Sequence, residues 1–257
     1  MAQGVATDEV AAGGLPAGSG ITAVTGGVGR LAVAGVDFAL GSAEDYWAAQ
    51  AALKLGLAPK NLAGRFIDFD DGGRLRVVST GATPSPGIPS LDGSWHSYTA
   101  GDDTNAGTFG FAGANVFSSL APVHVANVRT SPWYVVARWK TTTVPGATAR
   151  SVIGVGVTGL LRAGINKASH ATKFSAVWTG TVLLSTVSFD TAVHEIVVRN
   201  DATNVYFSVD GETEVSAPVG SLSTSAAELF FEIAAGALEA KQTYAIDYMG
   251  IWTGRSS

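Results

Sequence analysis

The clearest pattern of apolar and polar positions runs from residue 189 to residue 215, where the two kinds of side chain alternate with a period of two. Such alternation predicts antiparallel strands that each bury one face. Asp210-Gly211 follows the second alternating segment and supplies the left-handed backbone that a tight hairpin needs. The predicted core-facing positions of the two segments are His194, Ile196, Val198, Val205, Phe207 and Val209.

Alternation of the same kind recurs through the rest of the chain after residue 130. In the last segment, Tyr248 and Trp252 fall on one predicted face, and Asp247 falls on the other. Many short strands separated by turn signals predict a mainly β protein, a two-sheet antiparallel jelly-roll sandwich. The predicted strands are 133–140, 152–157, 173–178, 182–187, 194–199, 205–209, 229–233 and 243–252.

The first third of the chain has a different pattern. Residues 1–20 are mostly alanine, glycine and small polar residues and are interpreted as an arm or linker, and residues 21–40 and 65–79 are hairpin candidates. Between the hairpins, a helical repeat from Ala43 to Leu55 follows Ser42 as N-cap and stops at Gly56. Prolines between residues 81 and 89 indicate a linker. We therefore predict an attachment or assembly module over 1–90 and a β-sandwich over 91–257.

Composition excludes several classes of function. The net charge is −5 and the chain contains no basic run, so nothing favours nucleic acid. There is no cysteine, so neither disulfides nor thiolate chemistry is expected. The first twenty residues lack the features of a signal peptide, and no apolar run approaches a membrane span. Charged residues make up only 14% of the chain, which favours burial against partners.

The hairpin at 194–211 and the closing strand "YAIDYMGIW" resemble laminin G-like domains of the concanavalin A-like jelly-roll superfamily. The resemblance covers about residues 91–255 and leaves residues 1–90 aside. It implies the sandwich fold that the alternation also predicts. Some members of the superfamily are glycoside hydrolases that carry their carboxylates in an E-x-D-x-x-E pattern, and others bind glycans or calcium.

We find no such carboxylate pattern in this chain. Glu195 is followed at the +2 position by Val197, and neither Glu212 with Glu214 nor Glu228 with Glu232 makes a convincing pair for retaining hydrolysis. The chain has no G-x-S-x-G elbow either. His194 is expected to be a core histidine that is hydrogen-bonded to the backbone rather than a catalytic one. The sequence therefore predicts that the protein is not an enzyme.

Two kinds of binding site remain open. Asp102, Asp103 and Asn105 lie in an acidic loop with oxygen ligands of the kind that calcium prefers, and a second such loop spans 68–72. The competing interpretation, which we favour, is that these residues form turns, so that no cofactor is required. Trp95 and Trp178 lie near predicted strand ends and are candidates for stacking on a glycan, although core packing is the competing interpretation and the one that we favour for either residue alone.

The function that these patterns favour is a structural protein of a bacteriophage particle, such as a fibre, spike or decoration protein, assembled in the host cytoplasm. Its partners would be copies of itself, with a trimer favoured, other virion proteins and a cell-surface glycan. The apolar side of the predicted helix, with Tyr46, Trp47 and Leu53, is the candidate assembly surface, unless it packs on the sandwich itself. The alternatives are a free-standing carbohydrate-binding lectin and a glycoside hydrolase of the same fold.

Overall fold

The computed structural model describes the main strands and the helix of the chain, and the following paragraphs concern those residues only. They are residues 21–25, 28–33, 36–40, 43–68, 77–78, 85–86, 96–99, 107–110, 131–141, 150–155, 161–220, 229–234 and 243–254. They contain one α-helix, α1 (Ala43–Leu55), and a 3-10 turn at Pro59–Asn61. The strands are β1 (Ile21–Thr25), β2 (Val28–Val33), β3 (Val36–Leu40), β4 (Leu62–Asp68), β5 (Val77–Val78), β6 (Ser85–Pro86), β7 (His96–Thr99), β8 (Gly107–Gly110), β9 (Trp133–Thr141), β10 (Arg150–Val155), β11 (Leu161–Asn166), β12 (Lys173–Trp178), β13 (Thr181–Ser188), β14 (His194–Asn200), β15 (Asn204–Val209), β16 (Val215–Pro218), β17 (Leu229–Ala234) and β18 (Thr243–Gly254).

Two large antiparallel sheets form the sandwich, which confirms the predicted fold class. One sheet has seven strands in the order β13-β12-β11-β10-β17-β8-β5. The other has the order β16-β15-β14-β9-β18-β7-β6, with β4 as an eighth strand paired on β18. Strands β1, β2 and β3 form a separate three-stranded sheet, so the hairpin expected at 21–40 is present and gains a third strand.

The core between the sheets is built from the positions that alternation assigns to the interior. Ile196, Val198, Val205, Phe207 and Val209 are all buried there, as the sequence predicts. The turn after β15 also follows the prediction, since Asp210 and Gly211 both have positive φ angles, of 50° and 73°. The largest fully buried side chains are Trp133, Trp139, Trp178, Phe174, Phe207 and Leu161.

Helix α1 covers the outer face of the eight-stranded sheet and makes a second core with it. Glu44 and Asp45 lie in its first turn and Lys54 in its last, so charged side chains complement the helix dipole at both ends. The helix ends at Gly56 (φ +65°), where Leu57 N donates to Ala52 O at 2.9 Å. This Schellman geometry confirms Gly56 as the stop. The buried members of this second core are Trp47, Ala49, Ala51, Ala52, Leu62, Tyr134, Val136, Tyr248 and Trp252.

The prediction of a hairpin at 65–79 is wrong. Strand β4 pairs with β18 in the eight-stranded sheet, whereas β5 pairs with β8 in the seven-stranded sheet. The two apolar runs therefore lie in different sheets, because the long strand β18 offers β4 a partner over seven residue pairs, from Asp68–Tyr248 to Leu62–Gly254. The segment from α1 to β4 thus packs on the sandwich, and the domain boundary near residue 90 stays a prediction.

Candidate functional site

The outer face of the eight-stranded sheet carries a cluster of ionisable side chains beside α1. Three adjacent strands contribute to it: Glu195 on β14 is opposite Arg138 on β9, which is in turn opposite Tyr248 on β18. Because neighbouring strands are only about 4.8 Å apart, these side chains meet across the sheet although they are up to 110 positions apart in sequence.

A β-bulge in β18 adds a fourth member. The pairing of β18 with β9 shifts register between Ile246 and Tyr248, so Asp247 is inserted between residues that oppose the consecutive β9 positions Trp139 and Arg138. Simple alternation would place Asp247 on the face opposite Tyr248. Instead, Arg138 Nη1 donates to Asp247 Oδ2 at 2.8 Å, on the side where Tyr248 contacts Glu195. Bulges of this kind occur often next to active sites, where they redirect a side chain.

Glu195 and Tyr248 form the centre of the cluster. Tyr248 Oη donates to Glu195 Oε2 at 2.5 Å. Burial raises the pKa of Glu195 from 4.5 to about 7, although the hydrogen bond from Tyr248 and the charge of Arg138 act in the other direction. Burial and the neighbouring charge of Glu195 raise the pKa of Tyr248. The pair therefore combines a carboxyl group that titrates near neutral pH with a phenol that keeps its proton.

Arg138 marks the open side of the cluster. Its side chain is 42% exposed, whereas that of its partner Asp247 is 12% exposed. The guanidinium group lies 6.0 Å from the centre of the Tyr248 ring. An exposed guanidinium next to an acid–base pair is suited to hold a carboxylate or sulfate group of a ligand.

A second polar cluster lies at the start of β14, where His194 contacts two aspartates. His194 Nδ1 lies 2.7 Å from Asp210 Oδ2, and Nε2 lies 3.1 Å from Asp190 Oδ1. Burial lowers the pKa of His194, but the hydrogen bonds to the two aspartates outweigh that effect and leave it raised. Both ring nitrogens are engaged, and the ring packs edge-on against Phe174 with centroids 4.7 Å apart. The burial expected for His194 is confirmed, but the expected backbone partner is wrong, because both ring nitrogens bond to carboxylates.

A third cluster joins α1 to the sheet. Arg199 donates to Glu214 through Nε at 2.9 Å and through Nη2 at 2.7 Å, which is a bidentate ion pair. Lys54 of α1 lies 3.3 Å from the same carboxylate. The guanidinium of Arg199 also lies 3.5 Å from the centre of the Tyr206 ring. These contacts hold the C-terminal turn of the helix on the sheet.

The glycan-binding role predicted for Trp178 is wrong, and the competing interpretation of core packing is confirmed. It is 1% exposed, packs among the residues between the sheets and donates from Nε1 to Val219 O at 3.1 Å. Strand β12 turns Trp178 inward together with Phe174 and Ala176, so the faces of its ring are not accessible to a sugar. Its place near a strand end gave a misleading signal of exposure.

Of the candidate assembly residues, Trp47 is buried and Tyr46 packs edge-on against it with ring centroids 4.9 Å apart. Trp47 lies in the core between α1 and the sheet and Tyr46, which is partly buried, packs against that core, whereas Leu53 is 38% exposed. Trp95, Asp102, Asp103 and Asn105 lie outside the described residues. Within the described part of the chain, no group of three or more His, Cys, Asp or Glu side chains is arranged to hold a metal ion.

The comparisons with known proteins identify the fold. No family model and no curated protein matches the sequence. Among solved structures, a substrate complex of the family 7 alginate lyase A1-II′ matches with a TM-score of 0.51 and 10% identity, over 74% of this chain and 98% of that one. A protein of unknown function from Shewanella oneidensis MR-1 matches with a TM-score of 0.51 and 16% identity, over 76% and 87% of the two chains. A sialidase matches with a TM-score of 0.51 and 11% identity over 73% of this chain, which spans 18% of the sialidase's length.

These likenesses show a jelly-roll fold shared with carbohydrate-related proteins, and they correct one prediction. The expectation that the protein is not an enzyme is wrong, because it rested on the absence of one hydrolase motif. The same fold carries an alginate lyase and occurs within a sialidase, so a missing E-x-D-x-x-E pattern does not argue against catalysis. Within the described residues, no helix is long and apolar enough to span a membrane.

Glu195, Arg138, Asp247 and Tyr248 were not among the site residues predicted from the sequence. Glu195 was considered only as part of a carboxylate motif along one strand, and its partners come from two other strands. One signal was available. A polar residue, Asp247, interrupts an otherwise apolar and aromatic strand, and such an interruption is typical of a bulge or a site.

Proposed function

We propose that the protein is a carbohydrate-active jelly-roll domain that cleaves an acidic polysaccharide at the Glu195–Tyr248 pair. The observation that carries the proposal is the hydrogen bond of 2.5 Å between a buried carboxyl group that titrates near neutral pH and a phenol. Groups whose pKa is matched to the working pH are the ones suited to general acid–base catalysis. The alginate lyase and the sialidase of similar fold support carbohydrate as the class of substrate.

The reaction that these side chains suit is a β-elimination at a uronate residue. Arg138 would bind the uronate carboxylate, whose charge otherwise opposes loss of the neighbouring C–H proton. Glu195, when ionised, takes that proton, and the electron pair forms a C=C bond as the glycosidic C–O bond breaks. Tyr248 gives its proton to the departing oxygen. Glu195 then returns its proton to Tyr248 along their hydrogen bond, which restores the starting state.

A panel of acidic and neutral polysaccharides tests the proposal. We expect the ultraviolet absorbance of an unsaturated uronate to appear with an acidic polymer, and Glu195→Gln to lower the rate by roughly 100-fold or more. Arg138→Gln should lower kcat and also raise KM, because the guanidinium group both binds the uronate carboxylate and offsets its charge as the proton leaves. Glu44→Gln, which changes an exposed carboxylate on α1, is the matched control and should keep full activity.

Two results would contradict the proposal. Cleavage that survives Glu195→Gln would place the reaction elsewhere in the chain. Binding of an acidic polysaccharide without any cleavage would show a lectin-like module, and a release of reducing ends without the unsaturated product would show a hydrolase.

The placement of this domain on a bacteriophage particle, as a homo-oligomer beside other virion proteins, is a separate proposal. It is supported by the low charged content of 14%, which favours burial against partner chains. Helix α1 is a weaker support than the sequence suggested, because its apolar side packs on its own sheet. Mass spectrometry of purified particles tests the location, and sedimentation of the full chain tests the oligomer. A monomer absent from particles would refute this placement.

A further inference from the structure

The hydrogen bond between Trp47 and Tyr248 links helix α1 to the candidate catalytic pair. Trp47 Nε1 donates to Tyr248 Oη at 3.1 Å, in a buried contact between residues 201 positions apart. The indole ring of Trp47 lies 6.3 Å, centre to centre, from the rings of both Tyr134 and Tyr248. This contact is specific in direction, since an indole N–H only donates.

That direction limits what the phenol can do with its own proton. The Tyr248 oxygen accepts from Trp47 and cannot donate to it, so its O–H must point to another acceptor. The acceptor at hand is Glu195 Oε2, at 2.5 Å. Trp47, Tyr248 and Glu195 therefore form a chain of two hydrogen bonds that run the same way, and each bond in such a chain strengthens the next.

The helix that carries Trp47 is fixed on the sheet at its other end as well. Lys54 contacts Glu214, which Arg199 holds in turn, and the Schellman turn at Gly56 closes the helix. The position of the indole N–H is thus set by the packing of α1 on the sheet rather than by a loop.

We infer that Trp47 is a positioning residue, which holds the Tyr248 hydroxyl group against Glu195 and so keeps the hydrogen bond along which Glu195 returns its proton to Tyr248. The inference rests on the proposed function for its catalytic meaning, but the geometry can be tested without a substrate. Other charged or titratable groups that face the pair are Arg138 and Tyr134 on β9, Asp247 on β18, Asp210 after β15 and Tyr46 on α1.

The test compares Trp47→Phe with Trp252→Phe. Both changes replace an indole in the core between α1 and the sheet, but only Trp47 donates to Tyr248. The infrared band of the protonated Glu195 carboxyl group, assigned by its loss in Glu195→Gln, is followed as a function of pH. Without the Trp47 N–H, Tyr248 is a weaker donor, so the band of Trp47→Phe should titrate at a pH higher by roughly half a unit. Trp252→Phe should titrate as the unchanged protein does.

An unchanged titration in Trp47→Phe would overturn the inference, and so would an equal change in both variants, which would reflect packing alone. If Trp47→Phe does not fold, a benzothienyl-alanine at position 47 keeps the shape of the ring and removes only the N–H. Where a substrate has been found, the Trp47 variant should lower kcat roughly tenfold and leave KM unchanged, since it disturbs orientation and not binding. A polysaccharide panel without any cleavage would refute the proposed function, while the infrared comparison would still decide the role of Trp47.

Discussion

Glu195→Gln is expected to make the protein more stable above neutral pH. The carboxyl group has an ordinary pKa of 4.5, and burial in the folded state raises it to about 7. Below pH 4.5 the group is neutral in both states and has no effect on the free energy of unfolding. As the pH rises from 4.5 to 7, the unfolded chain releases the proton while the folded chain retains it, so stability is lost. At ~1.4 kcal/mol per pKa unit, the full loss above pH 7 is about 3 kcal/mol.

Glutamine keeps the shape of the side chain and an oxygen that accepts from Tyr248, but it cannot ionise. The melting temperature of the variant should therefore exceed that of the unchanged protein at pH 8, by roughly 6–12 °C for a chain of this size. At pH 4.5 the two should melt together. Calorimetry from pH 4 to pH 9 measures the difference directly.

Glu214→Gln is a control with the opposite sign. Burial raises the pKa of Glu214, but the hydrogen bonds from Arg199 outweigh it and leave the pKa lowered. The ionised carboxylate thus stabilises the fold above its unfolded pKa, and its removal should destabilise the protein at pH 8. Two results would refute the raised pKa of Glu195: a Glu195→Gln variant that is less stable than the unchanged protein at pH 8, or a difference in melting temperature that does not vary with pH.

Two further predictions concern stability elsewhere in the sandwich. The raised pKa of His194 means that its bonds to Asp190 and Asp210 contribute fully to the free energy of unfolding below pH 6.5, and that this contribution is lost as the pH rises through the folded pKa. Asp210→Asn should make the melting temperature depend less on pH in this range. A profile of melting temperature against pH that is the same in the variant would contradict the prediction. Gly64→Ala would place a methyl group 1.8 Å from Trp252 Cδ1, so it should lower the free energy of unfolding, measured in urea, by about 1–3 kcal/mol. Gly254→Ala is the control and should lower it less, because the nearest atom to its methyl group would be 3.4 Å away.

The sequence was most informative where one side chain pattern maps onto one local structure. The alternation around Phe207 identified the hairpin and its core face, since only a half-buried strand explains a period of two. The helical repeat that ends at Gly56 identified α1 in a similar way, because the glycine that closes the helix in a left-handed conformation is visible in the sequence. Local signals of this kind need no knowledge of distant partners.

The candidate site depends on contacts that have no local signal. Glu195 meets Tyr248 only because β14, β9 and β18 are neighbours, and sequence separation does not reveal that order. The bulge at Asp247 reverses the face that alternation assigns to this residue. Alternation along β18 therefore predicted that Asp247 and Tyr248 lie on opposite faces, although both belong to the site. Strand β4 was paired with the wrong segment because a nearby turn is easier to recognise than a partner 180 positions away.

The central place of β18 has a consequence for how the chain is made. Of the described strands, β18 is synthesised last, yet β4, β7 and β9 all hydrogen-bond to it. Until it emerges, the eight-stranded sheet has a gap at its middle and α1 lacks Tyr248 and Trp252, against which it packs. Pairings between such distant segments form slowly, because a long loop must close before any contact stabilises it. The eight-stranded sheet therefore cannot be completed before β18 has been made, and nascent chains that stall before residue 243 would expose apolar strand edges to one another.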